Sequence, residues 1–250
     1  RRIHRGSDTR SWKPDVTIDR AGAVSFKAWH SPGLEAIMVA RNGSLETVVD
    51  SRGPLHNLGR PVMNDTGAIA FGAIPDSGSP GVYVADNGTL RRVAGTEDLK
   101  GFRYDARLDM NDRGVIAVPS WLGIVKLEDG AVTVVGQGDA ASINNEGTVA
   151  YRREFSGADT GIFTGPDLTA DKVVRRGDPL FGSELRRLTF VGGPGGINDR
   201  GDVVFKYELA DRREGIAVAR AVPKPAGGAL PALGVPALLR RRPTRRSAAV

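Results

Sequence analysis

Met63-Asn64-Asp65-Thr66-Gly67-Ala68-Ile69-Ala70-Phe71 is one of five versions of a single phrase; the others run 18–26, 110–118, 143–151 and 197–205. Each opens with an apolar residue and a polar pair, sets Gly three places after the first member of that pair, and then alternates large and small residues. Asn and Asp hydrogen-bond their own backbone and tolerate left-handed geometry, and glycine takes a positive φ without steric cost. Turns are therefore expected at Gly22, Gly67, Gly114, Gly147 and Gly201, opened by Asn64, Asn111, Asn144 and Asn198 in four copies and by Asp19 in the first. A strand comes after each turn. One face of it carries Val24/Phe26, Ile69/Phe71, Ile116/Val118, Val149/Tyr151 and Val203/Phe205; the other carries Ser25, Ala70, Ala117, Ala150 and Val204. A half-exposed strand would put charges on its second face. Small groups there predict a sheet packed between two others, with Phe26, Phe71, Val118, Tyr151 and Phe205 at equivalent buried sites.

The segment after each phrase repeats as well. A second apolar run appears at 36–39, 81–84, 123–125, 161–163 and 215–218. Three of these runs lead into Asn42-Gly43, Asn87-Gly88 and Asp129-Gly130, the residue pairs that a tight primed hairpin turn demands. Third strands are expected over 45–49, 90–93, 132–135 and 172–174, so each unit is an antiparallel meander of three strands, or four if the linker supplies one. The repeat glycines are separated by 45, 47, 33 and 54 residues. Radial blades joined by surface loops absorb such variation better than a tightly stacked solenoid, and units of about 40–50 residues have the size of propeller blades. The expected fold is an all-β, five-bladed β-propeller over residues 1–220, with units starting near 15, 60, 107, 140 and 194. An irregular solenoid of sheets and a β-sandwich are the alternatives.

The ends bear on closure. Arg1-Arg2-Ile3-His4-Arg5-Gly6-Ser7-Asp8 resembles Val173-Val174-Arg175-Arg176-Gly177-Asp178, the third strand and exit loop of the fourth unit, while the fifth unit stops after its second strand at Val218. Residues 1–10 thus contain a candidate closing strand, with Ile3 expected to pair with the strand that holds Ile216 and Val218. The competing reading assigns the leading segment to a further upstream blade.

On these residues the phrase resembles the signature of bacterial tandem-repeat proteins with an NxxGxxAF consensus. The second copy matches it in full through Asn64, Gly67, Ala70 and Phe71, and the fourth through Asn144, Gly147 and Ala150 with Tyr151 in the Phe place. The resemblance spans about residues 15–218. It implies surface or secreted proteins that end in interchangeable anchoring signals. The C-terminus is similar to one such signal, the PEP-CTERM sorting tail: Val222, Pro223, Lys224 and Pro225, an apolar stretch over 226–239, then Arg240, Arg241 and Arg242. Lys224 stands where Glu is usual. The 14-residue stretch, broken by Pro231 and Pro236, falls short of the roughly 20 apolar residues that span a bilayer. Residues 221–250 are expected to be a disordered Pro/Ala/Gly-rich tail with a sorting role, or a plain linker-like extension.

Of 35 Lys+Arg and 29 Asp+Glu, six basic residues and no acid lie in 221–250, which leaves the body neutral at 29 against 29. The net +6 therefore describes the tail, and no nucleic-acid partner is expected. The arginine cluster is the positive flank of a transient membrane contact made during export. Cysteine is absent, so disulfides and thiolate metal sites are excluded. No N-terminal apolar signal segment is present in the sequence.

Catalytic patterns are thin. His4, His30 and His56 fall at unrelated repeat positions, giving no support to a triad or a two-His metal motif. Gly136-Gln137-Gly138 imitates a dinucleotide loop without the strand-to-helix context, and Arg200-Gly201-Asp202 is the fifth copy of the repeat turn. The clusters Asn64/Asp65, Asp109/Asn111/Asp112 and Asn198/Asp199/Asp202 offer oxygen ligands for Ca²⁺, yet lack the spacing of a calcium loop. No catalytic, cofactor or metal residue is assigned. The expected function is a non-enzymatic, exported or cell-surface scaffold whose loops bind an extracellular glycan, polymer or protein, with export machinery engaging the tail. The alternative is a propeller hydrolase or lyase acting on polysaccharide. It would need acids at equivalent, inward-pointing positions, whereas Glu46, Asp139, Glu154 and Glu184 are non-equivalent.

Overall fold

In each copy of the phrase, an extended residue runs into the Asn/Asp pair, the chain turns through a positive-φ glycine, and a longer strand returns antiparallel. The computed structural model describes residues 16–31, 33–156 and 159–221, and these form five antiparallel sheets. Blade one is β1 (Val16–Ile18), β2 (Val24–Ser31), β3 (Leu34–Arg41) and β4 (Ser44–Asp50). Blade two is β5 (Leu55–His56), β6 (Val62–Met63), β7 (Ile69–Pro75), β8 (Gly81–Asp86) and β9 (Thr89–Gly95). Blade three is β10 (Asp109–Met110), β11 (Ile116–Ser120), β12 (Gly123–Glu128) and β13 (Ala131–Gly136). Blade four is β14 (Ala140–Ile143), β15 (Val149–Glu154), β16 (Thr160–Phe163) and β17 (Lys172–Arg175). Blade five is β18 (Pro179–Leu180), β19 (Ser183–Thr189), β20 (Val203–Leu209) and β21 (Glu214–Ala219). No helix occurs among the described residues. The fold is an all-β propeller of five blades.

The linker does contribute the fourth strand. It is the short inner strand β1, β6, β10 or β14, reduced in blade five to a single bridge between Ile197 and Val203. The hairpins at Asn42-Gly43, Asn87-Gly88 and Asp129-Gly130 have positive φ at both central residues, as a type I′ turn requires.

Blades stack large face on small face. Phe71, Ile69 and Tyr83 of blade two pack on Ile37 and Val39 of blade one. Val118, Ile116 and Val125 of blade three pack on Ala70, Val82 and Val84. Tyr151 and Phe163 of blade four meet Ala117 and Ile124, and Phe205 and Val203 of blade five meet Ala150 and Ile162. Phe71, Val118 and Tyr151 are fully buried and Phe205 nearly so, because each has a neighbouring blade across from it.

Two expectations fail at the ends of this series. Phe26 is only half-buried, and Val204 is 36 % exposed where Ala70, Ala117 and Ala150 are at 0 %. Among the described residues no core cluster joins blade five to blade one, so the large face of the first blade and the small face of the last lack the cover that the other faces receive. The fifth unit also differs from expectation, since it does not consist of two strands. It gains β18 and β19 from the preceding linker, through a two-residue turn at Phe181 (φ 52°) and Gly182 (φ 78°). Phe is a costly residue at positive φ, so this hairpin lacks the usual Asn-Gly signature. The proposed closing strand at Ile3 lies outside the described residues.

Candidate functional site

The five turns converge, and their side chains link blade to blade. Within each turn the first residue's side-chain oxygen accepts the N–H four positions on: Ala23 to Asp19, Ala68 to Asn64, Val115 to Asn111, Thr148 to Asn144 and Asp202 to Asn198, at 2.8–3.0 Å. The remaining amide group of Asn reaches the next blade. Asn64 Nδ2 donates to the Asn111 carbonyl, Asn111 Nδ2 to that of Asn144, and Asn144 Nδ2 to that of Asn198, each at 3.0 Å. A parallel series joins the second residues. Arg20 N–H donates to Asp65, Asp65 N–H to Asp112, Asp112 N–H to Asn145 and Asn145 N–H to Asp199, at 2.7–2.9 Å.

Both series stop at the junction of blades five and one. Arg20 occupies the acceptor position in the first copy and has no oxygen to offer there. Asn198, exposed where its counterparts are buried, donates to Asp202 of its own turn at 3.1 Å. Asp19 lacks the donor that Asn supplies, and Arg41 stands 3.7 Å from its carboxylate. The sequence assigned the Asn residues to turns, and the amide bridge between blades was missed because it pairs positions 33 to 54 residues apart. The acidic turn clusters are committed in the same way, since their oxygens accept backbone N–H groups or pair with arginine as in Arg200–Asp202. Among the described residues no group of three or more His, Asp or Glu converges as a metal cage would require.

A further buried carboxylate belongs to this framework. Asp109 on β10 accepts Ser142 Oγ at 2.9 Å and Ile143 N–H at 2.8 Å from β14, and Met110 N–H at 3.0 Å. Burial pushes its pKa up to about 6, against the opposing pull of these hydrogen bonds.

At the end of the axis where the inner strands begin, blades one, two, three and five enclose a cavity of about 300 Å³. Its wall includes β1, Arg60, Arg107, Leu108 and the 192–194 loop, and no carboxylate residue lines it. Arg60 and Arg107 each stand four residues before the first Asn of their phrase, so they are the same repeat position in adjacent blades. Both are half-buried. The loop is held by Gly193 N–H, which donates to the Ala141 carbonyl at 2.7 Å. A Cβ at Gly192 would lie 2.7 Å from Ala141 N at a φ of +71°, so this close approach requires glycine. Arg103, with a smaller effect of Arg60, holds Asp105 below the usual carboxylate range beside this mouth.

The acids weighed for an enzyme lie elsewhere. Asp139 and Glu154 pair with Arg152 on blade four, and Glu46 and Glu184 are exposed on β4 and β19. His56 stands 3.4 Å from Asp76 on exposed ground. Val222, Pro223, Pro225, Arg240, Arg241 and Arg242 of the sorting-signal-like tail lie outside the described residues.

No family model and no curated protein matches the chain. Among solved structures it is similar to the β-propeller domain of the Trilobed protease from Pyrococcus furiosus, whose description gives it an open velcro topology. That match has 12 % identity and a TM-score of 0.32, and covers 81 % of this chain and 80 % of that one.

Proposed function

We propose that this protein is a non-enzymatic, exported or cell-surface scaffold that binds an anionic extracellular polymer at its axial cavity. The observation that carries the reading is the recurrence of arginine at one repeat position, Arg60 and Arg107, on one cavity wall. Guanidinium groups match carboxylate and sulfate oxygens in planar, bidentate geometry. Oriented backbone in the 192–194 loop, fixed by its bond to Ala141, gives the same mouth a rigid polar rim. The tail, through its likeness to a sorting signal, supports export and retention at the envelope.

Titration calorimetry with polygalacturonate and with a sulfated glycan tests the site. Binding of either is expected to weaken at least tenfold in Arg60→Ala and Arg107→Ala and to fall with rising salt. Absence of binding to both, or binding indifferent to the double variant, overturns the anion reading. Removing residues 221–250 in the native host tests the address. Loss of envelope retention with an unchanged melting curve is expected, and continued retention overturns it.

A further inference from the structure

In blades one to four the third strand is followed outward by a fourth: β4, β9, β13 or β17. In blade five β21 has no outer neighbour among the described residues. An unpaired strand edge carries a row of N–H and C=O groups that template a further strand. The adjoining face is apolar as well, with Ile216 65 %, Val218 37 % and Val204 36 % exposed. Opposite it, blade one leaves Val16 and Ile18 exposed at 55 % and 68 %. Val16 sits on the wall of the axial cavity together with Gly192, Gly193 and Pro194 of blade five, so the 15 residues before it leave the described structure beside that blade.

We propose that residues 1–6 of this chain are the missing outer strand of blade five, antiparallel to β21 with Ile3 opposite Ile216. Blade four supplies the register. Tyr151 pairs with Phe163 as Phe205 pairs with Ala217, which makes Ile162 the counterpart of Ile216. Ile162 pairs with Val174, and Ile3-His4-Arg5-Gly6 repeats the pattern of Val174-Arg175-Arg176-Gly177. Val174 is buried in the core between blades four and five. Ile3 at the equivalent place covers Ile216 and the open small face. The same register sets Arg5 opposite Glu214, an opposite-charge pair that favours antiparallel neighbours. Nine residues, 7–15, connect this strand to Val16, and an extended chain of that length spans about 30 Å. The corresponding link from Asp50 to Val62 uses eleven.

Because the chain has no cysteine, Ile3→Cys combined with Ile216→Cys in the full chain can form one disulfide only. Mild oxidation at low protein concentration is expected to give a reducible cross-link within one molecule, while Ile3→Cys with Leu90→Cys on blade two gives none. A disulfide formed only between molecules makes a second copy the occupant and overturns the proposal, as does equal reaction with Leu90→Cys or no cross-link at all. Hydrogen exchange provides a second reading that needs no new bond. The β21 amides that point away from β20 are expected to be protected in the unmodified chain and to exchange at least tenfold faster in Ile3→Pro, with β7 and β8 unchanged. Unprotected outward-facing β21 amides in the unmodified chain overturn the assignment.

Discussion

The side-chain amide of Asn111 donates to the backbone carbonyl of Asn144, 33 residues further on, at 3.0 Å, while its oxygen accepts Val115 N–H within its own turn. One buried side chain thereby closes a turn and ties two blades together. Asp19 performs the first task with a carboxylate, so the second explains Asn rather than Asp in the three copies that bridge blades, Asn64, Asn111 and Asn144, while the fourth asparagine, Asn198, bonds within its own turn.

Asn111→Ala strands the Val115 N–H and takes the inter-blade donor from the Asn144 carbonyl, which keeps only Gly147 N–H of its own turn, in a site that is 3 % exposed. The expected loss is about 2–3 kcal/mol, the cost of leaving buried polar groups unpaired. Asn198→Ala removes an exposed amide whose bond stays within its own unit, and about 1 kcal/mol or less is expected. Urea denaturation of both variants checks the contrast, and equal losses would remove the inter-blade role from Asn111.

Asp109 makes stability depend on pH in a direction opposite to an ordinary ion pair. Its folded pKa, about 6, is raised above the ordinary value of 3.8. The folded chain therefore holds a proton that the unfolded chain has released between those values. This contribution is present in full below about pH 4 and is lost as pH rises through about 6. Other carboxylates, such as Asp105 and Asp202, are lowered and act in the reverse sense. The quantity to measure is therefore the difference between the wild type and Asp109→Asn. Relative to the variant, the wild type is expected to lose about 2–3 kcal/mol between pH 4 and pH 7. A difference independent of pH would mean that Asp109 titrates normally.

Phe71 and Phe26 occupy the same repeat position with different surroundings. Phe71 is at 0 % exposure and stacks on Tyr83 with ring centroids 6.0 Å apart. Phe71→Ala is expected to cost about 3–5 kcal/mol through the cavity it leaves. Phe26→Ala, at a half-buried site, is expected to cost about 1–2 kcal/mol, since less apolar area returns to water. Thermal or urea unfolding of the pair decides it.

Glu35 clamps blade one to the chain entering blade two. Its carboxylate accepts Leu58 N–H at 2.6 Å and pairs with Lys27 at 2.9 Å, while Lys27 donates to the Leu58 carbonyl. Glu35→Ala removes the counter-charge of a largely buried ammonium, which keeps its bond to the Leu58 carbonyl, and leaves the buried Leu58 N–H without its carboxylate acceptor, at an expected cost of about 2–3 kcal/mol. The double variant Lys27→Met/Glu35→Leu is expected to recover part of that loss by removing the stranded charge. A double variant less stable than Glu35→Ala would show that the lysine packs rather than pairs.

Local chemistry was sufficient for the repeats. Glycine at Gly22, Gly67, Gly114, Gly147 and Gly201 takes φ between 77° and 88° in the structure, and the Asn-Gly and Asp-Gly hairpins are equally local, because turn conformation depends on a few adjacent residues. Alternation of large and small groups along Ile69-Ala70-Phe71 similarly determined that both faces of an inner blade are covered. Tertiary structure alone decided whether a neighbour exists to cover them. Phe26 and Phe71 read alike in sequence, and only the arrangement of blades makes one half-exposed and the other buried. The hairpin at Phe181-Gly182 was illegible because packing, rather than turn propensity, holds a phenylalanine at positive φ. Arg60 and Arg107 carry no local motif, and only the tertiary structure brings this one repeat position of two blades onto a single cavity wall. The asparagine bridges were hidden for the same reason, since a hydrogen bond between residues dozens of positions apart leaves no local mark in the chain.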